Sequence, residues 1–428
     1  MSGHDKGLTE KTMDLGLKGI TNVMDRKLLG TIAGSAALGI GIGLQRSQFA
    51  VLGEIMADHK WFTDTDIGLL SGLSLAGYII GCLHQTALKN ELNNIRTVRI
   101  GLALGVLSFF IEPLVNALEW QIVWRIIAGW SSAQLVTGIP GLGIRFHSLE
   151  KKRRALAFIF AGAGLAALLG TLLVSLFTST SIVESWVVTG ILAVILAIPI
   201  HNLLDLCIEE ELLKRFEKEG STEAAMTTQS STAKPRIWTK GLRLLAGSTL
   251  LFGAGQVTVL TYYPLLLVSK FNVSQATAAS SFANVGLGYT IGAIAAGFMP
   301  KRLSTDLLMS GSALIGVVGT LACAAGTNIP AVGLGGFAFA FWNGSMMGLL
   351  LHRINQSVPP DKSRLVWSQF SLILSIGFLA FTFISAPIAD QHVIVIIWIG
   401  VALAATHLAL QLMSRHAFSV SLSKQQTH

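Results

Sequence analysis

Long apolar runs separated by short polar or basic stretches organise this chain. They predict twelve spans: Leu28 to Ala50, Asp66 to Thr86, Val98 to Leu118, Trp120 to Gly143, Ala155 to Thr178, Trp186 to Leu206, Leu242 to Val268, Gln275 to Met299, Ser304 to Gly326, Pro330 to Leu351, Leu365 to Pro387 and His392 to Met413. Each is near the roughly 20 residues an α-helix needs to cross the hydrocarbon of a bilayer. Backbone polar groups in lipid must bond within their own segment or a closed barrel, and continuous apolar runs favour the helix. The expected fold class is therefore an all-α membrane protein with twelve transmembrane helices.

Composition agrees. The 428 residues are 52% hydrophobic and only 13% charged, with mean hydropathy +0.62, whereas soluble domains keep about 25% charged residues facing water. Of the 31 lysines and arginines, all but Arg46, Lys60, Arg125 and Lys270 fall in the tails and in alternate loops. Basic residues are retained on the cytoplasmic side, so both termini are expected there, in a bacterial inner membrane. The net charge of +8 then follows from loops facing an anionic leaflet and needs no nucleic acid. Cys82, Cys207 and Cys323 lack CxxC spacing and read as free thiols. No removable signal peptide is visible before the first span.

Between Leu206 and Leu242 the composition turns to charge and then to a Ser/Thr-rich tract ending at Pro235, which reads as a linker. The expected organisation is a cytoplasmic tail over 1–27, a six-helix half over 28–206, a cytoplasmic linker over 207–240, a second six-helix half over 241–413 and a tail over 414–428. The halves carry a repeat: Gly77-Tyr78-Ile79-Ile80-Gly81 returns as Gly288-Tyr289-Thr290-Ile291-Gly292, Gly41 and Gly43 match Gly253 and Gly255, and the basic loop Arg145 to Arg154 matches Arg353 to Arg364. All three pairs lie about 210 residues apart, which points to duplication. Many carriers place substrate between two such repeats and expose it alternately.

The fourth span carries Arg125-Ile126-Ile127-Ala128-Gly129. An intramembrane arginine costs at least ~2.5 kcal/mol unless it meets water or a partner. With this arginine and glycine, the chain resembles the major facilitator superfamily over nearly its whole length, and the resemblance implies two pseudo-symmetric six-helix bundles. In that family the loops after helices 2 and 8 carry a glycine, an acid and then basic residues that gate the carrier. Here Gly81 leads to Gln85, Lys89, Arg96 and Arg99, and Gly297 leads to Pro300, Lys301 and Arg302, so the motif's acid is missing in both places. The stretch Gly41 to Arg46 also resembles a magnetosome-membrane member of the family. That resemblance implies iron supply for biomineralisation, magnetosome proteins as partners and a magnetosome membrane location.

By the family resemblance, helices 1, 4, 7 and 10 line a central cavity. This nominates Gln45, Arg46 and Gln48, then Arg125 and Gln134, then Gln256, Thr258 and Tyr262, then Trp342 and Asn343 as substrate-binding. Arg46 and Arg125 are permanently charged planar forks suited to a carboxylate or phosphate, so residue chemistry favours an organic anion or an anionic iron chelate over a bare metal ion. No metal-ligand spacing appears inside a span, and metal ligands stay unknown. Glu112, deep in the third span, is the coupling candidate or the partner of Arg125. His84 and His407 read as interfacial. Walker and HExxH sequences are absent, so a non-enzyme running on gradients without a cofactor is expected. The rivals are a carrier of a small organic anion or drug, and a carrier-shaped sensor or assembly protein.

Overall fold

The computed structural model describes residues 26–175, 181–220, 237–274, 278, 281, 283–300 and 302–426. Lys301, the tail up to residue 25 and the linker tract 221–236 lie outside them. The described residues form helices and no strand: α1 (Arg26–Ala57), α2 (Asp64–Ala87), α3 (Glu91–Ile111), α4 (Leu118–Gly143), α5 (Leu149–Ser175), α6 (Ile182–Gly220), α7 (Lys240–Leu260), α8 (Ala283–Phe298), α9 (Thr305–Ala325), α10 (Ile329–Ser357), α11 (Pro360–Ile388) and α12 (His392–Val420). Ten of these described helices are long and apolar enough to cross a membrane. Helices α4 and α8 take the two remaining places, consistent with twelve crossings.

Polar residues set many helix starts. Thr63 and Asp66 form a reciprocal capping box at α2, and Asn90, Thr239, Ser304 and Asn328 cap α3, α7, α9 and α10 by accepting a first-turn N–H. Three elements differ from the apolar pattern. The seventh span is broken at Thr261 and Tyr262, after which a short helix, Tyr263–Phe271, carries Pro264 in its first turn, where a missing N–H costs no helical bond. Helix α1 runs seven residues past Ala50, because its outer part packs against protein. The charged start of the linker continues α6 as far as Gly220.

Helix α1 is not uniform. Over Gly39–Ser47, the sequence GIGIGLQRS winds as a π-helix, a wider turn that in other proteins tends to occur at functional sites. Glycine permits the close packing around it. A Cβ on Gly43 would press on the Ala163 carbonyl at 2.6 Å, and one on Gly41 would crowd Ser132. The widened turn carries Gln45 and Arg46.

The repeated Gly-Tyr motif does the same work in both places. Gly77 of α2 lies against the Ile126 carbonyl of α4, and Gly288 of α8 lies against the Phe337 carbonyl of α10. Gly129 meets the Ser74 backbone from the other side, as Gly344 meets Tyr289. Small residues let helix backbones touch where lipid supplies no hydrophobic drive for association. Outward, Leu107, Ile195, Ile198, Leu314 and Phe383 form an exposed apolar belt, as a lipid solvent requires. One buried apolar cluster lies within α1–α6. The other fills α7–α12 and continues into α2, α4 and α5, so the core is unbroken across the middle of the molecule.

We predict that Gly129→Val, which forces a side chain into the Ser74 backbone, lowers stability by about 1–3 kcal/mol, the cost of overpacking. Thermal unfolding of the detergent-solubilised protein checks this.

Candidate substrate site

Two arginines enter the membrane interior, and the fold treats them differently. Arg125 of α4 is 1% exposed and ion-paired to the fully buried Glu112, in the 3-10 turn that ends α3. The guanidinium lies over the rings of Phe49 at 4.2 Å and Trp186 at 5.5 Å and donates to the Gln45 carbonyl at 3.4 Å. Gln121 donates to the Glu112 carbonyl at 2.6 Å and fixes that turn. Around the pair, Glu112 Oε2, Gln45 Oε1, Gln48 Nε2, Gln121 Oε1, Arg125 Nε and Trp186 Nε1 are buried without a hydrogen-bond partner among the described residues. Buried polar atoms are nearly always bonded, so these groups leave the interior around the first helices unusually polar.

Arg46 has no carboxylate within ion-pairing distance among the described residues. It leaves the π-turn toward the second bundle, with its guanidinium 4.6 Å from the Phe378 ring of α11 and 5.9 Å from the Tyr78 ring of α2. Tyr289 of α8 and Cys82 stand within electrostatic reach, and its Nη2 is buried without a hydrogen-bond partner among the described residues. Cation–π contacts contribute about 0.5–2 kcal/mol each. Desolvating an ion costs several kcal/mol. The aromatic frame therefore offsets only part of the cost.

The other nominated residues divide between these two places and the helix packing. Gln45 donates to Ser131 at 3.4 Å, and Gln48 accepts from Thr171 at 3.1 Å. Gln134 accepts from Gln85 and donates to the Gly81 carbonyl at 3.3 Å, tying α4 to α2. Gln256 is buried, as is Thr258, which bonds back to the Gly255 carbonyl. Tyr262 bonds Ser385 of α11 at 3.0 Å. Trp342 is buried against Phe252, Phe339 and His407, and Asn343 bonds back to the Phe339 carbonyl at 3.0 Å. His407 is 2% exposed and bonds Ser248 of α7, so it belongs to the second core and not to an interface as expected. Among the described residues, no group of three or more His, Cys, Asp or Glu side chains could hold a metal ion.

The bundles meet most firmly at the end where the basic loops lie. Arg364, at the start of α11, donates to the Leu88 carbonyl at 2.7 Å and the Gln85 carbonyl at 3.3 Å and pairs with Glu91 at 3.3 Å. Arg153, at the start of α5, donates to the Met299 carbonyl at the end of α8. Trp367 donates to the Val136 carbonyl at 3.1 Å, and ring pairs Phe160–Trp367 and Phe158–Phe298 fill the space beside it. Glu91, at the start of α3, is the acid that this junction pairs with an arginine of the other bundle. Of the nominated loop residues, Gly81 packs on α4, Arg96 and Arg302 are exposed, and Arg99 pairs with Asp205 of α6. Arg364, Arg153, Tyr78 and Phe378 were not nominated. The correspondence of the basic loops Arg145 to Arg154 and Arg353 to Arg364 in the two halves was the available signal for the first two.

Helices in two bundles that meet around a half-buried arginine, with no counter-ion for it among the described residues, describe a membrane transporter. A family model described as an uncharacterised MFS-type transporter, YbfB, matches residues 37–414, and the chain belongs to this family of the major facilitator superfamily. No curated protein sequence matches. Solved structures of similar fold include the proton:xylose symporter XylE bound to 6-bromo-6-deoxy-D-glucose, with TM-score 0.67, 13% identity and coverage of 91% of this chain and 95% of that one. The human organic anion transporter MFSD10 is also similar, with TM-score 0.64, 15% identity and coverage of 92% and 98%. At these identities the likeness establishes the fold. None of these comparisons supports the magnetosome member.

Glu112→Ala or Arg125→Ala alone leaves an uncompensated charge in the interior, at an expected cost of about 3–5 kcal/mol, whereas Glu112→Leu with Arg125→Met restores most of it. Unfolding of the three variants in detergent gives the comparison. A loss in the double variant equal to the sum of the two single losses would show that the pair is not coupled.

Proposed function

We propose that this protein is an alternating-access carrier of a small organic anion, held between the two bundles by Arg46. The observation that carries the reading is the half-buried Arg46 guanidinium, whose Nη2 is buried without a hydrogen-bond partner among the described residues, framed by rings from both bundles and with no counter-ion among those residues. A planar fork with an open edge accepts a carboxylate in a bidentate pair. MFSD10, similar in fold, is an organic anion transporter, in keeping with this chemistry. Glu112, buried and paired with Arg125, is the coupling proton carrier in this reading, and XylE, likewise similar in fold, is a proton:xylose symporter. The contacts of Arg364 and Arg153 close the basic end, which this reading places in the cytoplasm, while the opposite end admits substrate. Iron falls within the same proposal only as an anionic chelate, because no set of metal ligands lies among the described residues.

The test is uptake into proteoliposomes of radiolabelled benzoate, citrate, ferric citrate and iron(II), with and without an imposed proton gradient. We expect uptake of at least one of the anions, falling by about tenfold or more in Arg46→Gln, the loss of one charged hydrogen bond or more. Arg46→Lys should recover only part, because an ammonium lacks the fork. Anion uptake unchanged in a folded Arg46→Gln protein overturns the reading, as does uptake of iron(II) alone.

A further inference from the structure

A groove of about 650 Å³ runs between α3 and α6 on the outside of the first bundle, away from Arg46. Its walls are apolar, with Leu102, Val106 and Phe110 from α3 facing Val194 and Ile198 from α6. Val194 is 45% and Ile198 58% exposed, so the groove opens sideways to the surroundings of the belt. Polar groups gather at one end only: Arg99, His201 and Asn202 line it, and Asp205 joins them. This end points toward the basic end of the bundle. From Arg99 to Phe110 the groove follows eleven residues of helix, about 16 Å at ~1.5 Å per residue. That is roughly half of the ~30 Å hydrocarbon core, the depth of one leaflet.

The polar end carries both signs of charge. Arg99 pairs with Asp205, yet its side chain stays 38% exposed and that of Asp205 48%. Arg99 Nε is buried without a hydrogen-bond partner among the described residues. Asp205 Oδ2 lies 3.3 Å from His201 Nε2, and the Asn202 side chain is exposed beside them. A simple anion would be attracted by Arg99 and repelled by Asp205. A zwitterion whose phosphate and ammonium are a few atoms apart satisfies both.

We propose that this groove is a binding site for one phosphatidylethanolamine molecule of the leaflet at the basic end. One acyl chain lies between α3 and α6, the phosphate accepts from Arg99 and Asn202, and the ethanolamine ammonium donates to Asp205. The donor N–H groups of the ammonium select this lipid over phosphatidylcholine, whose methylated head cannot donate. The cation selects it over phosphatidylglycerol, which has none. The site is independent of Arg46 and stands whether or not the chain carries an anion.

The experiment reconstitutes the full chain in nanodiscs of equal parts phosphatidylethanolamine, phosphatidylcholine and phosphatidylglycerol of matched acyl chains. The protein is then extracted into mild detergent, and the lipid retained is counted by native mass spectrometry. We expect one retained lipid per chain, with phosphatidylethanolamine at least about fivefold over either competitor, as one charge-assisted hydrogen bond allows. Asp205→Asn should abolish the preference over phosphatidylcholine, and Arg99→Gln should reduce total retention. Equal retention of the three lipids by the unsubstituted protein overturns the proposal without reference to any variant. So does retention dominated by phosphatidylglycerol, or a preference that survives Asp205→Asn.

Discussion

A guanidinium inside a bilayer must find a carboxylate, water or an aromatic face, because it cannot shed its proton and its hydration is expensive to remove. This chain meets that constraint twice, with opposite solutions. Arg125 is answered from within its own bundle by Glu112, Phe49 and Trp186. Arg46 receives rings from both bundles but no carboxylate among the described residues. The first arrangement holds α3, α4 and α1 together. The second leaves an unfinished coordination where the bundles meet, and that is where a carrier needs its substrate to be decisive.

Glycine makes this geometry available. The π-turn at Gly39–Ser47 rests its glycines on α4 and α5, and the added width turns Gln45 toward Ser131 of the first bundle while Arg46 reaches α11 of the second. The paired crossings α2–α4 and α8–α10, each seated on a glycine against a carbonyl, tie two helices together in each of the two helical bodies. Much of what joins those bodies at the basic end is side chain to backbone: Arg364 and Arg153 each hold a helix-end carbonyl of the other bundle. Such bonds can break one at a time without leaving a buried ion unpaired, since Arg364 and Glu91 keep some access to solvent. Midmembrane charges would not release so easily.

Much of the architecture was legible in the sequence. Apolar runs of spanning length, basic residues in alternate loops and a motif repeated at a constant interval each have a direct physical meaning, and the superfamily follows from them with the Arg125-to-Gly129 signature. What could not be read was partnership. Glu112 is thirteen residues from Arg125, and the sequence left it as either a coupling acid or a partner. Only the turn at Pro113 brings the two together. Phe378 was one apolar residue among many until the fold set it on Arg46. His407 seemed interfacial because it is polar and near a run's end, yet α12 continues to Val420 and places it beside Ser248. The missing motif acid was legible, but the pairing of Glu91 with Arg364 depends on where α3 begins and on how the bundles meet. Membrane helices share one apolar vocabulary, so periodicity reveals that a helix spans and says little about which neighbour it faces.

The accessibility of position 46 is the most direct measurement of whether a substrate site lies there. In a background with Cys82, Cys207 and Cys323 replaced by serine, Arg46→Cys is exposed in sealed vesicles of known orientation to a membrane-impermeant, negatively charged thiol reagent. Modification is expected from the face opposite the basic end and little from the basic face, with access from the basic face rising when Arg364→Ala is added. Failure to react from either face would place residue 46 in a sealed interior and contradict a substrate site there.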